Sequence, residues 1–186
     1  MKYTIKRSSR KTIGLQMTSE GLLVRVPYGA GKRDIERTIR ENATWIAKAE
    51  RRMEETRNAA AECGALGPED IKALTAEAKR IIPQRVEYYA PIVGVVPGRI
   101  SIRSQKTKWG SCSTKGNLNF NCLLMLTPPE VIDSIVVHEL CHLKEMNHSK
   151  RFYDEVLRVY PEYRKWHKWL KVNGDLLMKR MELGKM

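Results

Sequence analysis

The chain has 186 residues, of which 42% are hydrophobic and 30% charged, a composition that excludes a disordered or fibrous protein. Lys and Arg number 34 against 21 Asp and Glu, and the net charge of +13 favours anionic substrates or polyanion partners as much as a merely solvated basic surface. No apolar run approaches the roughly 18 residues of a membrane helix, and no secretory signal follows the basic first residues. We therefore expect a cytoplasmic protein without a membrane partner.

The first part of the chain predicts strands followed by a long helix. Apolar and polar side chains alternate through residues 2–27, on both sides of a turn at Ser19-Glu20-Gly21. From Arg33 to about Ala61, apolar residues recur at three- and four-residue intervals, which is the helical period. We take 1–61 as one unit.

The segment ECGALGPED (62–70) contains two glycines and a proline and is the best candidate for a linker. A second helix is expected from about Glu69 to Ala90, with an interruption or kink near Pro83. Residues 62–94 thus form a linker and a helix.

Two further strands are predicted at 99–104 and 116–126. Asn119 and Asn121 share the polar face of the second strand, which makes it a candidate edge for an extended substrate. Gly110 and Ser111 offer either a close approach to a substrate backbone or a simple turn. Trp109 is expected in the core.

The next helix has the best-marked start in the chain. Thr127 is the predicted N-cap, Pro128 takes the first helical position and Glu130 completes a capping box. This helix carries VVHELCH. Further helices are expected from about Ser149 to Val159 and from about Pro161 to Val172, where Asn173-Gly174 ends the last one.

His138 and His142 are four residues apart, so both imidazoles lie on one side of a helix and can bind one metal ion. Glu139 is rotated by about 100° from His138, too far to act as a third ligand but within reach of a metal-bound water. This H-E-x-x-H arrangement is typical of zinc hydrolases. The buried-looking Cys141 is expected to be a packing thiol.

Two residues compete for the role of third ligand. Glu145 would lie on the same face if the helix continued, whereas His148 is reachable only if the helix ends near 145–148 and the chain turns back. Asn147 tolerates the left-handed conformation of such a turn, and Ser149 is a good N-cap for a new helix. These features favour His148 over Glu145.

The chain resembles the YgjP-like metallopeptidase family, distant kin of the SprT-like and WLM zinc peptidases. The resemblance is carried by KWGSC and HELCHLKEMNHSKRF and extends to RVPYGAG and TWIAK. It implies Zn²⁺ on His138, His142 and His148, with Glu139 as the catalytic acid–base group.

We therefore predict an α/β (α+β) protein with an N-terminal β-rich unit, long connecting helices, a minimal zincin-like domain at 95–174 and a C-terminal tail at 175–186. The predicted activity is zinc-dependent hydrolysis of a peptide or protein substrate. One alternative is hydrolysis of a nucleoside triphosphate such as UTP, an activity ascribed to some members of the resembled family. The other is a protein associated with nucleic acid through its basic surface, with a structural zinc.

The group that stabilises the oxyanion is left open among Arg151, Tyr153 and Tyr163. For His167, we favour a packed C-terminal helix over a binding face or a role in the transition state.

Overall fold

The computed structural model describes residues 3–18 and 20–184, and the chain divides into two compact units, Met1–Asn58 and Ala59–Met186. Both combine a small sheet with helices, so the α+β class is confirmed. The predicted segments 62–94, 95–174 and 175–186 all lie in the second unit, and their boundaries stay predictions. Ser19 of the predicted turn lies outside the described residues.

The first unit is a three-stranded sheet followed by two helices. Its elements are β1 (Tyr3–Ser8), β2 (Gly14–Thr18), β3 (Gly21–Pro27), α1 (Lys32–Glu41) and most of α2 (Ala43–Glu62), whose last turn belongs to the second unit. The single helix predicted from Arg33 to Ala61 is wrong, because the chain breaks at Asn42. The Asn42 side chain donates a hydrogen bond to the Thr38 carbonyl and so competes with the helical hydrogen bonds.

The central strand of this first sheet is β3, parallel to β1 and antiparallel to β2. Alternate residues of β3 are buried, and they form one core with a residue from each helix. This core consists of Leu22, Val24, Val26, Ile35 and Ile46. The alternation of apolar and polar residues in the sequence thus corresponds to a sheet with one face covered by the two helices.

The second unit begins with α3 (Pro68–Val93), which continues as one helix through Pro83, so the predicted interruption is absent. Its sheet consists of β4 (Ile100–Arg103), β5 (Gly110–Cys112) and β6 (Leu118–Asn121). The strand predicted at 116–126 is wrong beyond Asn121, because a 3-10 helix follows at Cys122–Leu126. The Asn121 side chain accepts a hydrogen bond from the Leu123 N–H and caps that helix.

The strand β6 lies between β4 and β5, and this position corrects the prediction that it is a binding edge. Asn121 is fully buried, and its amide donates to the carbonyl oxygens of Gln105 and Lys108. It therefore holds the loop before β5 in place. The free edge on this side of the sheet belongs to β5.

Three helices complete the second unit: α4 (Pro129–Cys141), α5 (Lys150–Val159) and α6 (Tyr163–Leu183). The predicted capping box is wrong. The Thr127 hydroxyl donates to the Leu124 carbonyl, and Pro128 takes the N-cap position one residue later. Ser149 caps α5 as predicted, since its side chain accepts a hydrogen bond from the Phe152 N–H.

The last helix does not stop at Asn173-Gly174 but continues to Leu183. Gly174 is buried, and a Cβ atom there would lie 2.9 Å from the Trp109 ring. The glycine therefore serves the close packing of Trp109 against α6. Trp109 contacts the core, as predicted.

The helix α4 is buried along most of its length, and a polar contact fixes it to α3. Arg85 donates two hydrogen bonds to the Asp133 carboxylate, and the Tyr89 hydroxyl donates a third over 3.2 Å. These bonds supply partners to an otherwise buried charge. Within the described residues, no helix combines the length and apolarity needed to cross a lipid bilayer.

Candidate metal centre

The helix that carries the histidine motif ends at Cys141, and His142 is its C-cap. The predicted break near 145–148 therefore comes later than the actual one. No described non-glycine residue has a positive φ, so the expected left-handed turn at Asn147 is wrong. The chain instead turns back through ordinary conformations over 142–149.

This turn brings three imidazoles together. The Nε2 atom of His138 lies 3.2 Å from Nε2 of His142 and 3.1 Å from Nε2 of His148. The potential ligand atoms of the three residues lie within 4.8 Å of one another, whereas Glu145 does not join the group. Three ring nitrogens at this separation suit one small metal ion.

The opposite ring nitrogens of two histidines have hydrogen-bond partners. Nδ1 of His138 lies 2.9 Å from the Tyr163 hydroxyl, and Nδ1 of His142 lies 3.1 Å from the carbonyl oxygen of Glu145. A carbonyl only accepts, so His142 carries its proton on Nδ1 and keeps a lone pair on Nε2. Such contacts orient ligating histidines in metal sites.

The His138 imidazole is held in its neutral form. Burial, with smaller contributions from the charges of the neighbouring histidines, lowers the pKa of His138 to about 3. Burial also lowers the pKa of His142. Neutral imidazoles are the form in which histidine binds metal.

The buried ring of Phe152 packs against all three histidine rings of the cluster. Its ring centroid lies 4.9 Å from that of His138, 4.5 Å from His142 and 5.0 Å from His148. The side chain is fully buried. No sequence motif assigned Phe152 to the site, although its position in the first turn of the helix after His148 was a usable signal.

Glu139 lies on the same helix but faces β5. Its side chain is 4% exposed, and burial raises the pKa of its carboxyl to about 8, partly offset by the charge of Lys108. A Cβ atom on Gly110 would lie 2.5 Å from Oε1 of Glu139. The carboxyl therefore occupies space that only a glycine at this position leaves free.

The residues considered for stabilising the oxyanion, and His167, differ in their burial and in their contacts with the histidines. Tyr163 is buried, and its hydroxyl lies 3.3 Å from Nδ1 of His167. Tyr163 therefore lies between Nδ1 of His138 and the His167 ring. The contact between Tyr163 and His167 runs between neighbouring turns of α6, and the packing role predicted for His167 stays a prediction. The ring of Tyr153 stacks at 6.1 Å on His148, whereas Arg151 is exposed on α5.

The cysteines do not contribute to the cluster. All four are free thiols. Cys141 is fully buried, as predicted, and burial raises its pKa to about 12. It is therefore a packing residue within the motif.

A protein-family model described as "YgjP-like, metallopeptidase domain" matches residues 68–173, more than half of the chain. The crystal structure of the metallopeptidase zymogen of Pyrococcus abyssi abylysin is 25% identical and covers 50% of this chain and 94% of its own, with a TM-score of 0.47. That of Methanocaldococcus jannaschii jannalysin is 28% identical and covers 51% and 96%, with a TM-score of 0.43. No functionally curated protein matches the chain.

Proposed function

The chain belongs to the YgjP-like metallopeptidase family, and from this premise we propose that it is a zinc-dependent peptidase with His138, His142 and His148 as ligands and Glu139 as general base. The observation that carries the proposal is the convergence of three Nε2 atoms at the end of a helix that also carries the buried carboxyl of Glu139. The histidines come from a helix end and the following turn, and the carboxyl comes from the same helix.

The donor set fits zinc. Three imidazole nitrogens are a common ligand set of catalytic zinc sites, which keep a fourth position for water. When bound, zinc lowers the pKa of its water and polarises a substrate carbonyl. His148 is exposed, so the cluster is open to solvent on that side and a substrate can approach.

Glu139 supplies the proton transfers. A carboxyl with a pKa near neutrality takes a proton from an attacking water and returns it to the leaving amine. Burial raises the pKa of this carboxyl to about 8, and Gly110 leaves the space that the carboxyl occupies. Among the described residues, none donates a hydrogen bond to this carboxyl, so it is available to a water molecule.

The edge strand β5 offers a place for the substrate. It is antiparallel to β6 and pairs with no other described strand, so its outer edge has backbone groups available to an extended peptide. Gly110, at the start of this strand, adjoins Glu139. A peptide along β5 would therefore pass the general base.

The deciding experiment compares wild type with Glu139→Gln and, as a matched control, Glu145→Gln. We expect all three proteins to bind one zinc ion, since neither side chain belongs to the histidine cluster. Casein cleavage should fall by about 10² to 10⁴ in Glu139→Gln alone. Glu145→Gln should cleave like wild type, because only the Glu145 main chain contacts His142.

Equal cleavage by Glu139→Gln and wild type would refute the mechanism. Hydrolysis of UTP without cleavage of any peptide would instead support a hydrolase acting on phosphoanhydrides. Stoichiometric zinc with neither activity would leave the metal a structural role.

A further inference from the structure

The uncovered face of the first sheet carries cations in a row. In the β1–β3 and β2–β3 registers, Lys6 lies beside Arg25, and Arg25 lies beside Gly14. Neighbouring residues across a sheet point to the same face, and this face is opposite to that of the buried Val24. Lys6 and Arg25 are both exposed.

Arg10 fills the place above Gly14. A Cβ atom on Gly14 would lie 2.6 Å from one terminal guanidinium nitrogen of Arg10 and 3.0 Å from the other. The guanidinium group therefore lies over the glycine and beside Arg25. Together Lys6, Arg25 and Arg10 span all three strands, and we call them the basic row.

No acid balances the basic row. The described residues 3–18 and 20–27 contain five Lys and Arg residues and a single acid, Glu20, which lies in the turn at the far end of β2 from Gly14. Several acids of this unit lie on the helices and pair there, as in Asp34–Arg37 and Glu55–Arg51. No described residue forms an ion pair with the three members of the row, and the buried Nε of Arg10 has no hydrogen-bond partner within the described part.

Arg7 is a cation of the same sheet whose side chain has hydrogen-bond partners within the protein. Its guanidinium donates to the carbonyl oxygens of Pro27, Tyr28 and Ala30, and so it fastens the loop after β3. This arginine has a structural task within the protein. The basic row has none, although keeping three like charges side by side costs free energy.

We propose that the basic row binds the phosphate backbone of nucleic acid. Adjacent strands are about 4.8 Å apart, so the row is about 10 Å long and faces about three phosphates at 3.4 Å of axial rise each. Lys and Arg on a flat face suit phosphate contacts, which position nucleic acid without reading its sequence.

A nucleic acid fits this face better than a membrane does. Surfaces that bind lipid combine cations with large apolar side chains that enter the bilayer. The row's side of the sheet has Leu23 as its single large aliphatic residue among the described strands, and Leu23 is half-buried. The remaining strand positions beside the row are mainly small or polar residues.

The test measures binding of the full-length protein to a fluorescent 20-base-pair DNA duplex, by anisotropy over a series of salt concentrations. The variant Lys6→Gln/Arg10→Gln/Arg25→Gln should lose at least about tenfold in affinity at low salt. The slope of log K against log salt should become shallower by about 2 to 3, because each phosphate contact contributes about 0.9. An RNA duplex and single strands of equal length show which nucleic acid binds best.

Two matched variants control the experiment. Lys72→Gln/Lys79→Gln/Arg80→Gln removes the same charge from exposed positions of α3 and should bind nearly as wild type does. Lys6→Arg/Arg10→Lys/Arg25→Lys keeps the charge of the row and should retain the salt slope. Circular dichroism checks folding. Should the triple Gln variant unfold, Lys6→Gln/Arg25→Gln at two exposed positions carries the same test with a slope change of about 1 to 2.

Three results would overturn the proposal. The first is a loss of binding in the α3 control as large as in the row variant, which would make the effect one of net charge. The second is no binding of wild type to any nucleic acid at low salt. The third is binding to vesicles containing phosphatidylserine that depends on the row, with no binding to nucleic acid. The proposal does not depend on the proposed peptidase activity.

Discussion

The two sheets of this protein have the same topology and different side chains at the same position of the edge strand. In each, the last strand is central, the first strand runs parallel to it and the second antiparallel. In each, the antiparallel edge strand begins with a glycine, Gly14 in one and Gly110 in the other. The difference lies in what occupies the space above that glycine, a half-buried arginine or a buried glutamate. Strand order alone therefore assigns no function to either sheet.

The charges around the two sheets differ in the same way. In the second unit, cations pair with acids, as Lys144 and Arg158 do with Glu155. In the first sheet, the basic row has no such partners among the described residues. Paired charges support the fold locally, whereas unpaired charges of one sign leave an attractive field for a ligand. Four predictions test this comparison.

The largest effect is expected from Gly110→Ala. The new methyl group would lie within 2.5 to 2.8 Å of three atoms of the buried Glu139 side chain, so either the carboxyl or the strand must shift. We expect kcat to fall about 100-fold, since a shift of about 1 Å in a catalytic group has that effect, and stability to fall by about 1–3 kcal/mol.

Peptide cleavage and urea denaturation measure these two effects of Gly110→Ala. Zinc content serves as the control and should not change, because a methyl group on Gly110 would meet Glu139 and none of the three histidines. An alanine variant with the kcat of wild type would show that the Glu139 position is not fixed by β5.

The second prediction concerns Tyr163→Phe, which removes the hydroxyl beside Nδ1 of His138 while keeping the buried ring. Loss of such a contact weakens metal binding by about 10- to 100-fold. Competition with a chromophoric zinc chelator measures this affinity. Tyr153→Phe is the matched control, since the Tyr153 ring stacks on His148 but its hydroxyl bonds to no described histidine. Equal affinities in both variants would leave the hydroxyl without a role in orienting His138.

The third prediction uses pH to test the paired charges of the second unit. Hydrogen bonds from Arg158 and Lys144 lower the pKa of Glu155 to about 2. The stabilisation is therefore complete above the usual pKa near 4.5 and is lost as pH falls towards 2. Glu155→Gln should cost about 1 kcal/mol at pH 7, because both cations remain partly open to solvent.

Urea denaturation of wild type and Glu155→Gln at pH 7 and pH 3 measures this difference. The difference in the free energy of unfolding between wild type and Glu155→Gln should be smaller at pH 3 than at pH 7. A difference that is the same at both values would mean that shape and not charge accounts for the effect.

The smallest effect is expected from Gly14→Ala, the counterpart of Gly110→Ala. The methyl group meets only the end of the flexible Arg10 side chain, which can turn away. The backbone at Gly14 does not have a positive φ, so alanine is tolerated there. We expect stability to change by no more than about 0.5 kcal/mol and peptide cleavage to stay as in wild type. A loss as large as that of Gly110→Ala would remove the contrast between the two sheets.

The sequence by itself determined what depends on near neighbours along the chain. The four-residue spacing of His138 and His142, the position of Glu139 between them and the cap at Ser149 all follow from helical geometry. The alternating pattern of the first strands fixed which face of the sheet is buried. The family resemblance rested on the same continuous segments.

Only the tertiary structure decided what depends on distant residues. Tyr163 meets His138 across 25 positions, and Gly110 meets Glu139 across 29. The central position of β6 likewise depends on its pairing with β4 and β5. No local sequence pattern indicates which strands pair. Local spacing sets directions around one helix or strand, whereas the packing of elements against each other sets which side chains meet. The sequence thus predicted His138, His142, His148 and Glu139 as site residues, and the fold brought Gly110, Tyr163 and Phe152 into contact with them.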